Sequence, residues 1–401
     1  MSNKSIVDTL RYSSNYRLRR EIGLRLKGYL ETATARDNST LMPEGACSIN
    51  ISNLAKIGGG LWNDVYSFNL SYKENQTTRN IHLILKIYLR GKDPYDLIRK
   101  KYAYSPETSK WMREFHLLRN LGSIGFHVPK VYLCEFDSRF LGYPFLIMQK
   151  EEFVKKPISE TVDCFATTLA NLHNIKQEAL GNYFLRTPKS ESAYAKSWPI
   201  YYKQYLNLQP KHSKRMRNDF LLAIQWLDLN ASKNKCSKYC LVHGDYHPGN
   251  VCVTRDSRFV VLDWDSIEIG DPALDVGYAY HFVKFFSNPE NPNSAESIAK
   301  RFVSEYTKNF EGDITERLDY YKMVGILGTS IFYSSGLSYP IYAYYYHRRK
   351  VLTAFPLLGG LAIFLAFPFI KWPFVAHQFA VECDLLWLKY FENFLETTLK
   401  R

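Results

Sequence analysis

Between Leu241 and Asp265 the chain reads Leu-Val-His243-Gly-Asp245-Tyr-His247-Pro-Gly-Asn250-Val and then Val260-Val-Leu-Asp263-Trp-Asp265. Two short apolar runs of strand character flank a polar turn that holds Asp245 and Asn250, and Asp263 ends the next apolar run. A single Asp among Tyr, His, Pro, Gly and Asn is ordinarily a solvated turn residue. The spacing here supports more. A cation bridging nucleotide phosphates takes hard oxygen ligands, which Asn250 and Asp263 can supply, and a separate carboxylate, Asp245, can take or orient the proton of an attacking hydroxyl.

Upstream, the sequence reads as strands from Ile51. A run near Leu54 leads into Gly58-Gly59-Gly60-Leu-Trp-Asn63-Asp-Val-Tyr, and a second run spans Val65 to Leu70. Glycines in such a turn let backbone amides approach phosphate oxygens, although a plain loop would read the same. No Gly-Lys-Ser/Thr follows, which argues against a Walker-type loop. Ile81 to Leu89 is an apolar run with Lys86 inside it, and Trp111 to Leu121 carries Glu114 among apolar positions at helical spacing.

Five separated elements therefore follow one another: the glycine turn, Lys86, Glu114, the Asp245/Asn250 loop and Asp263. In that order they resemble the aminoglycoside phosphotransferase and choline kinase family, distant relatives of protein kinases. The resemblance covers roughly residues 51–277. It implies an α+β, protein-kinase-like bilobal fold, with a small antiparallel sheet lobe over residues 49–150 and a larger, mainly helical lobe over 151–401. It also implies phosphorylation of a small-molecule hydroxyl by ATP, or GTP, with Mg2+. Asp245 would be the catalytic base and Asn250 and Asp263 the metal ligands. Gly59, Gly60, Asn63 and Lys86 paired with Glu114 would serve the phosphates, while the backbone near Met148 and Lys150 would meet the adenine. His243 and Asp275 would support the loop, His173 would pack, and Asp271 would cap a helix ahead of Pro272. His247 receives no role.

A net charge of +13 suits an anionic partner such as a nucleotide or a phosphorylated compound, and counts mildly against a polycationic acceptor. Without zinc-finger spacing or an aromatic RNA-binding motif, nucleic acid is not an expected partner. Seven cysteines with no Cys-x-x-Cys pair and no evident leader suggest reduced thiols and a cytoplasmic setting. The 30 Tyr and 25 Phe are chiefly core material, or else the lining of a pocket or a membrane surface.

Two stretches lie outside the resemblance. Residues 1–48 form a basic extension whose segment Arg17 to Leu30 has the helical period; packing on the body is the expected role, with a membrane surface or a transit peptide as alternatives. Residues 351–370 carry no charge and are long enough for a bilayer core, but Pro356, Gly359, Gly360 and Pro368 interrupt them. A buried or membrane-dipping hairpin fits them better than a crossing. A membrane-associated lipid or polyprenol kinase and a catalytically silent kinase-like module that binds nucleotide or a partner stand as the alternative functions. The sequence does not name the acceptor or the oligomeric state.

Overall fold

The computed structural model describes residues 16–33, 41–43, 45–59, 63–89, 109–181, 185–208, 214–287, 292–334, 394–395 and 398. The chain divides into two compact units. The first comprises Met1–Pro188, Lys238–Asp275 and Phe282–Asp313, and the second Lys189–Ser237, Val276–His281 and Ile314–Arg401.

In the first unit, helix α1 (Tyr16–Ala33) precedes β1 (Cys47–Gly59), β2 (Asn63–Glu74) and β3 (Thr77–Tyr88); α2 (Lys110–Ser123), β4 (Val131–Glu135) and β5 (Phe145–Gln149) follow. These strands form one antiparallel sheet in the order β1-β2-β3-β5-β4. The period of two in β2 buries Tyr66, Phe68, Leu70 and Tyr72, and in β3 it puts Leu83, Leu85 and Ile87 in the same core. Helix α1 closes that core. Its Ile22, Leu26, Tyr29 and Leu30 are buried among these strand residues, and the Tyr29 ring meets Phe145 edge-on at 5.2 Å. The basic helix of the N-terminal segment thus packs on the sheet, as its amphipathic period predicts.

The alternation of β3 sends Lys86 and Tyr88 to the opposite side from Leu85 and Ile87. Both reach Glu114 of α2. This is how a strand lysine comes to be only 5% exposed.

The same unit continues with β6 (Phe153–Val154), α3 (Ile158–Asn174), β7 (Cys240–Val242), β8 (Val251–Thr254), β9 (Phe259–Val261) and β10 (Glu268–Gly270). Strands β6, β8 and β9 form a small sheet, and β7 pairs with β10. The polar turn between β7 and β8 and the short segment after β9 are thereby anchored at both ends. Helix α7 (Pro292–Asn309) packs on α3, with Phe302 against Phe165 at 5.5 Å.

The second unit contains α4 (Ala193–Leu208), α5 (Lys214–Ala231) and α8 (Leu318–Ser334). The tyrosines of α4 are core: Tyr194, Tyr201, Tyr202 and Tyr205 are buried. Two tyrosine hydroxyls act as cross-helix ties, Tyr202 donating to Val324 O at 2.6 Å and Tyr320 to Ala195 O at 2.8 Å. Helix α6 (Ala273–Ser287) runs through both units.

Among the described residues no helix is long and apolar enough to cross a membrane. The apolar segment 351–370 lies outside the described residues.

Candidate active site

Lys86 is the centre of a charge cluster. Its Nζ donates to both Glu114 oxygens at 2.9 Å, to Asp265 Oδ1 at 2.8 Å and to Asp263 Oδ1 at 3.1 Å. Tyr88 donates its hydroxyl to Glu114 Oε2 at 2.6 Å. Burial opposes the charge on Lys86, but Asp265, Glu114 and Asp263 together outweigh it and hold the ammonium well above its usual pKa. Burial also pushes Glu114 up to about 7; Lys86 pulls the other way and Asp265 adds to the rise. One buried cation facing three carboxylates ties β3, α2 and the loop after β9 to one another.

Asp265 is the member of this cluster that sequence reasoning left without a role. Burial penalises its charge, yet Lys110 and Lys86 more than offset this and keep it well below the carboxylate range. Lys110, at the start of α2, meets Asp265 Oδ2 at 2.8 Å, and Asn63 donates its Nδ2 to the same oxygen at 2.5 Å. Asn63, placed by sequence near the phosphates, therefore ties the start of β2 to this acid. The only advance signal for Asp265 is its position two residues past Asp263, with the buried Trp264 between them. Gly59 ends β1 opposite Asp64, and Gly60 lies outside the described residues.

The loop after β7 is built around Asp275, which is fully buried. Its Oδ2 accepts from the backbone N–H of His243 at 2.7 Å and from His173 Nε2 at 3.1 Å, and its Oδ1 accepts from the N–H of Gly244 at 2.8 Å. The Tyr306 hydroxyl lies 2.7 Å from the other ring nitrogen of His173, which settles that ring's orientation. His243 holds the next layer: its Nε2 donates to Leu262 O at 2.9 Å, and its Nδ1 accepts from the N–H of Asp245 at 3.2 Å. Between them, Gly244 has φ +77°, and a Cβ there would run into the carbonyl oxygen of Ser266. Gly244→Ala is expected to lower stability by roughly 2 kcal/mol or more, combining left-handed strain with a backbone clash, as read from the urea midpoint at constant m.

Asp245 and Asn250 sit at the exposed side of this loop. Asn250 Nδ2 donates to Asp245 O at 3.0 Å and to Asp245 Oδ2 at 3.1 Å, which leaves the amide Oδ1 as the atom suited to a cation. Asp263 has φ 57°, a left-handed conformation uncommon outside glycine but tolerated by Asp, and its side chain is 48% exposed. Among the described residues no three His, Cys, Asp or Glu side chains converge as a closed metal cage. The Leu262 N–H donates to Asn250 O at 2.8 Å, which brings Asp263 beside Asn250, and an amide oxygen and a carboxylate are the hard donors that Mg2+ takes, so the chemistry of these residues fits that ion.

At the end of β5, Met148 pairs with Ile84 and Val131 inside the sheet. The N–H groups of Gln149 and Lys150 are engaged there too, donating to Lys130 O at 2.8 Å and His82 O at 3.1 Å. An adenine edge at this hinge would therefore be met by carbonyls, or by amides beyond Lys150, rather than by the Lys150 N–H. The sequence could not show which backbone groups the sheet had already taken.

The geometry agrees with what the comparisons return. A solved chain from Ralstonia eutropha JMP134, assigned by inference as an aminoglycoside phosphotransferase, superposes with a TM-score of 0.50 at 14% identity, covering 92% of this chain and 98% of that one. The fold is thus α+β and protein-kinase-like. Acyl-CoA dehydrogenase family member 10 of Mus musculus is 27% identical over 216 residues, 48% of this chain and 19% of that protein. Family member 11 of Gallus gallus is 25% identical over 270 residues, 59% of this chain and 34% of that protein. The chain spans only about a fifth to a third of these curated relatives. The profile of the phosphotransferase enzyme family matches residues 54–308, which include Lys86, Glu114, Asp245, Asn250, Asp263, Asp265 and Asp275. The chain belongs to the phosphotransferase enzyme family.

Proposed function

We propose that the protein transfers the γ-phosphoryl group of ATP to a hydroxyl of a small molecule. The observation that carries this reading is the convergence of Lys86 with Glu114, Asp263 and Asp265, within the same unit as the Asp245–Asn250 pair. In this reading Lys86, steadied by Glu114, exchanges its acidic partners for phosphate oxygens when nucleotide binds. Asn250 Oδ1 and the Asp263 carboxylate would hold Mg2+, which when bound would draw negative charge from the phosphates. Asp245 takes the hydroxyl proton as the acceptor oxygen bonds to phosphorus and the bond to the β–γ bridging oxygen breaks, its electron pair leaving with ADP. Asp265, clamped by Lys110 and Asn63, keeps the loop after β9 against the strands.

A screen of hydroxylated metabolites for magnesium-dependent ATP consumption tests the proposal. At least one alcohol should accelerate ATP loss above the rate with water alone, and the acceleration should vanish with EDTA. Failure of ATP to bind in the presence of magnesium would contradict it.

A further inference from the structure

His247 has no role in the scheme so far, yet its ring is held in place from three sides. Its Nδ1 accepts the N–H of Gly249 at 3.0 Å. Its face stacks on Phe282 of α6, with centroids 4.9 Å apart and planes at 24°. Gly249 gives the ring its space, since a Cβ there would lie 2.8 Å from Cε1 and 3.0 Å from Nδ1. The backbone carbonyl of His247 accepts the Asn250 N–H at 2.8 Å. A plain surface histidine needs none of these restraints.

The restraints also decide which nitrogen carries the proton. Because Nδ1 is an acceptor, the neutral ring bears its hydrogen on Nε2. Nε2 stands 3.8 Å from Asp245 Oδ1, while Asn250 Nδ2 contacts the other carboxylate oxygen, Oδ2. A separation of 3.8 Å is too long for a hydrogen bond between them but suits two groups that both touch a third atom. One is a fixed donor and the other a fixed acceptor.

We propose that His247 is a catalytic residue: it donates from Nε2–H to the oxygen of the acceptor hydroxyl while Asp245 Oδ1 accepts that hydroxyl's proton. A hydroxyl has one hydrogen and two lone pairs. With the hydrogen directed to Asp245 and one lone pair held by His247, the second lone pair is aimed at the γ-phosphorus. The new O–P bond forms as the bond from phosphorus to the bridging oxygen breaks, the proton passes to Asp245, and His247 keeps its own. This inference rests on the phosphotransferase reading and adds a determinant of acceptor orientation to it.

The test uses the full chain with ATP and magnesium, water serving as the acceptor oxygen, in the native protein, His247→Ala and His247→Gln. His247→Ala should lower turnover about tenfold, the rate equivalent of losing one hydrogen bond. His247→Gln, which keeps an N–H donor, should recover most of it, and the affinity for a fluorescent ATP analogue should be the same in all three. Native-like turnover in His247→Ala, or no recovery in His247→Gln, would overturn the role of His247 while leaving the phosphotransferase reading intact. Absence of turnover in the native protein with water and with a pool of small alcohols alike would overturn both. Ring 15N shifts in histidine-labelled protein give a readout free of turnover: the Nε2–H form is expected, and the Nδ1–H form at His247 would exclude the donor.

Discussion

In the presence of ATP and magnesium, Asp245→Asn should turn over roughly 10²- to 10⁴-fold more slowly than the native chain, the usual range for loss of a general base. The substitution keeps the size of the side chain and an acceptor oxygen for Asn250, so the loop between β7 and β8 should hold its shape. Asp275 sets that shape from below through the N–H groups of His243 and Gly244, and it is untouched. Nucleotide affinity should therefore survive. Asp263→Ala should behave differently, losing the magnesium-dependent part of nucleotide binding. Steady-state kinetics paired with binding titrations separate the two, and a fully active Asp245→Asn would remove Asp245 from the chemistry.

Lys86→Ala carries the second large effect, and it falls on both stability and nucleotide use. Lys86 and Glu114 side chains are 7% and 2% exposed, and removing one partner of a buried pair costs on the order of 3–5 kcal/mol. The low end, about 3 kcal/mol, is expected, because Glu114 is already pushed up to about 7 and can take a proton once the ammonium is gone. Tyr88 still donates to it. Adding Glu114→Gln to Lys86→Ala should recover part of the loss in urea unfolding, since the uncompensated carboxylate disappears. The KM for ATP should rise in the single and the double variant alike. Unchanged stability together with unchanged KM would mean that Lys86 contributes to neither.

What the sequence made legible follows from which constraints are local. The apolar runs over β2 and β3 and the helical period of α1 and α2 identified those elements, because a buried face prints its pattern directly on the chain. Lys86 and Glu114 were readable through the family resemblance, which places a cation one strand after the glycine turn and a carboxylate on the following helix; alone they would read as an edge lysine and a solvated helix glutamate. Asp265 was not readable in the same way. Its partners, Asn63, Lys86 and Lys110, lie on β2, β3 and α2, and only the folded sheet brings them to one carboxylate. The hinge shows the same limit: strand pairing engages the Lys150 N–H with His82 O, a register that no local pattern states. His247 is a third case, since the ring that pins it, Phe282, comes 35 residues later on another element. Tyrosines read from sequence as chiefly core are core in α4 and α8, where Tyr202 and Tyr320 also place their hydroxyls on carbonyls of the facing helix.

The most direct test of the central claim is 31P NMR of the native protein with ATP, magnesium and a pool of small alcohols, run beside Asp245→Asn. The proposed function predicts that the γ-phosphate resonance declines as a phosphomonoester resonance grows, and that Asp245→Asn shows neither change over the same interval. A γ-phosphate resonance that persists in the native protein, or one that decays equally in both, would contradict phosphoryl transfer through Asp245.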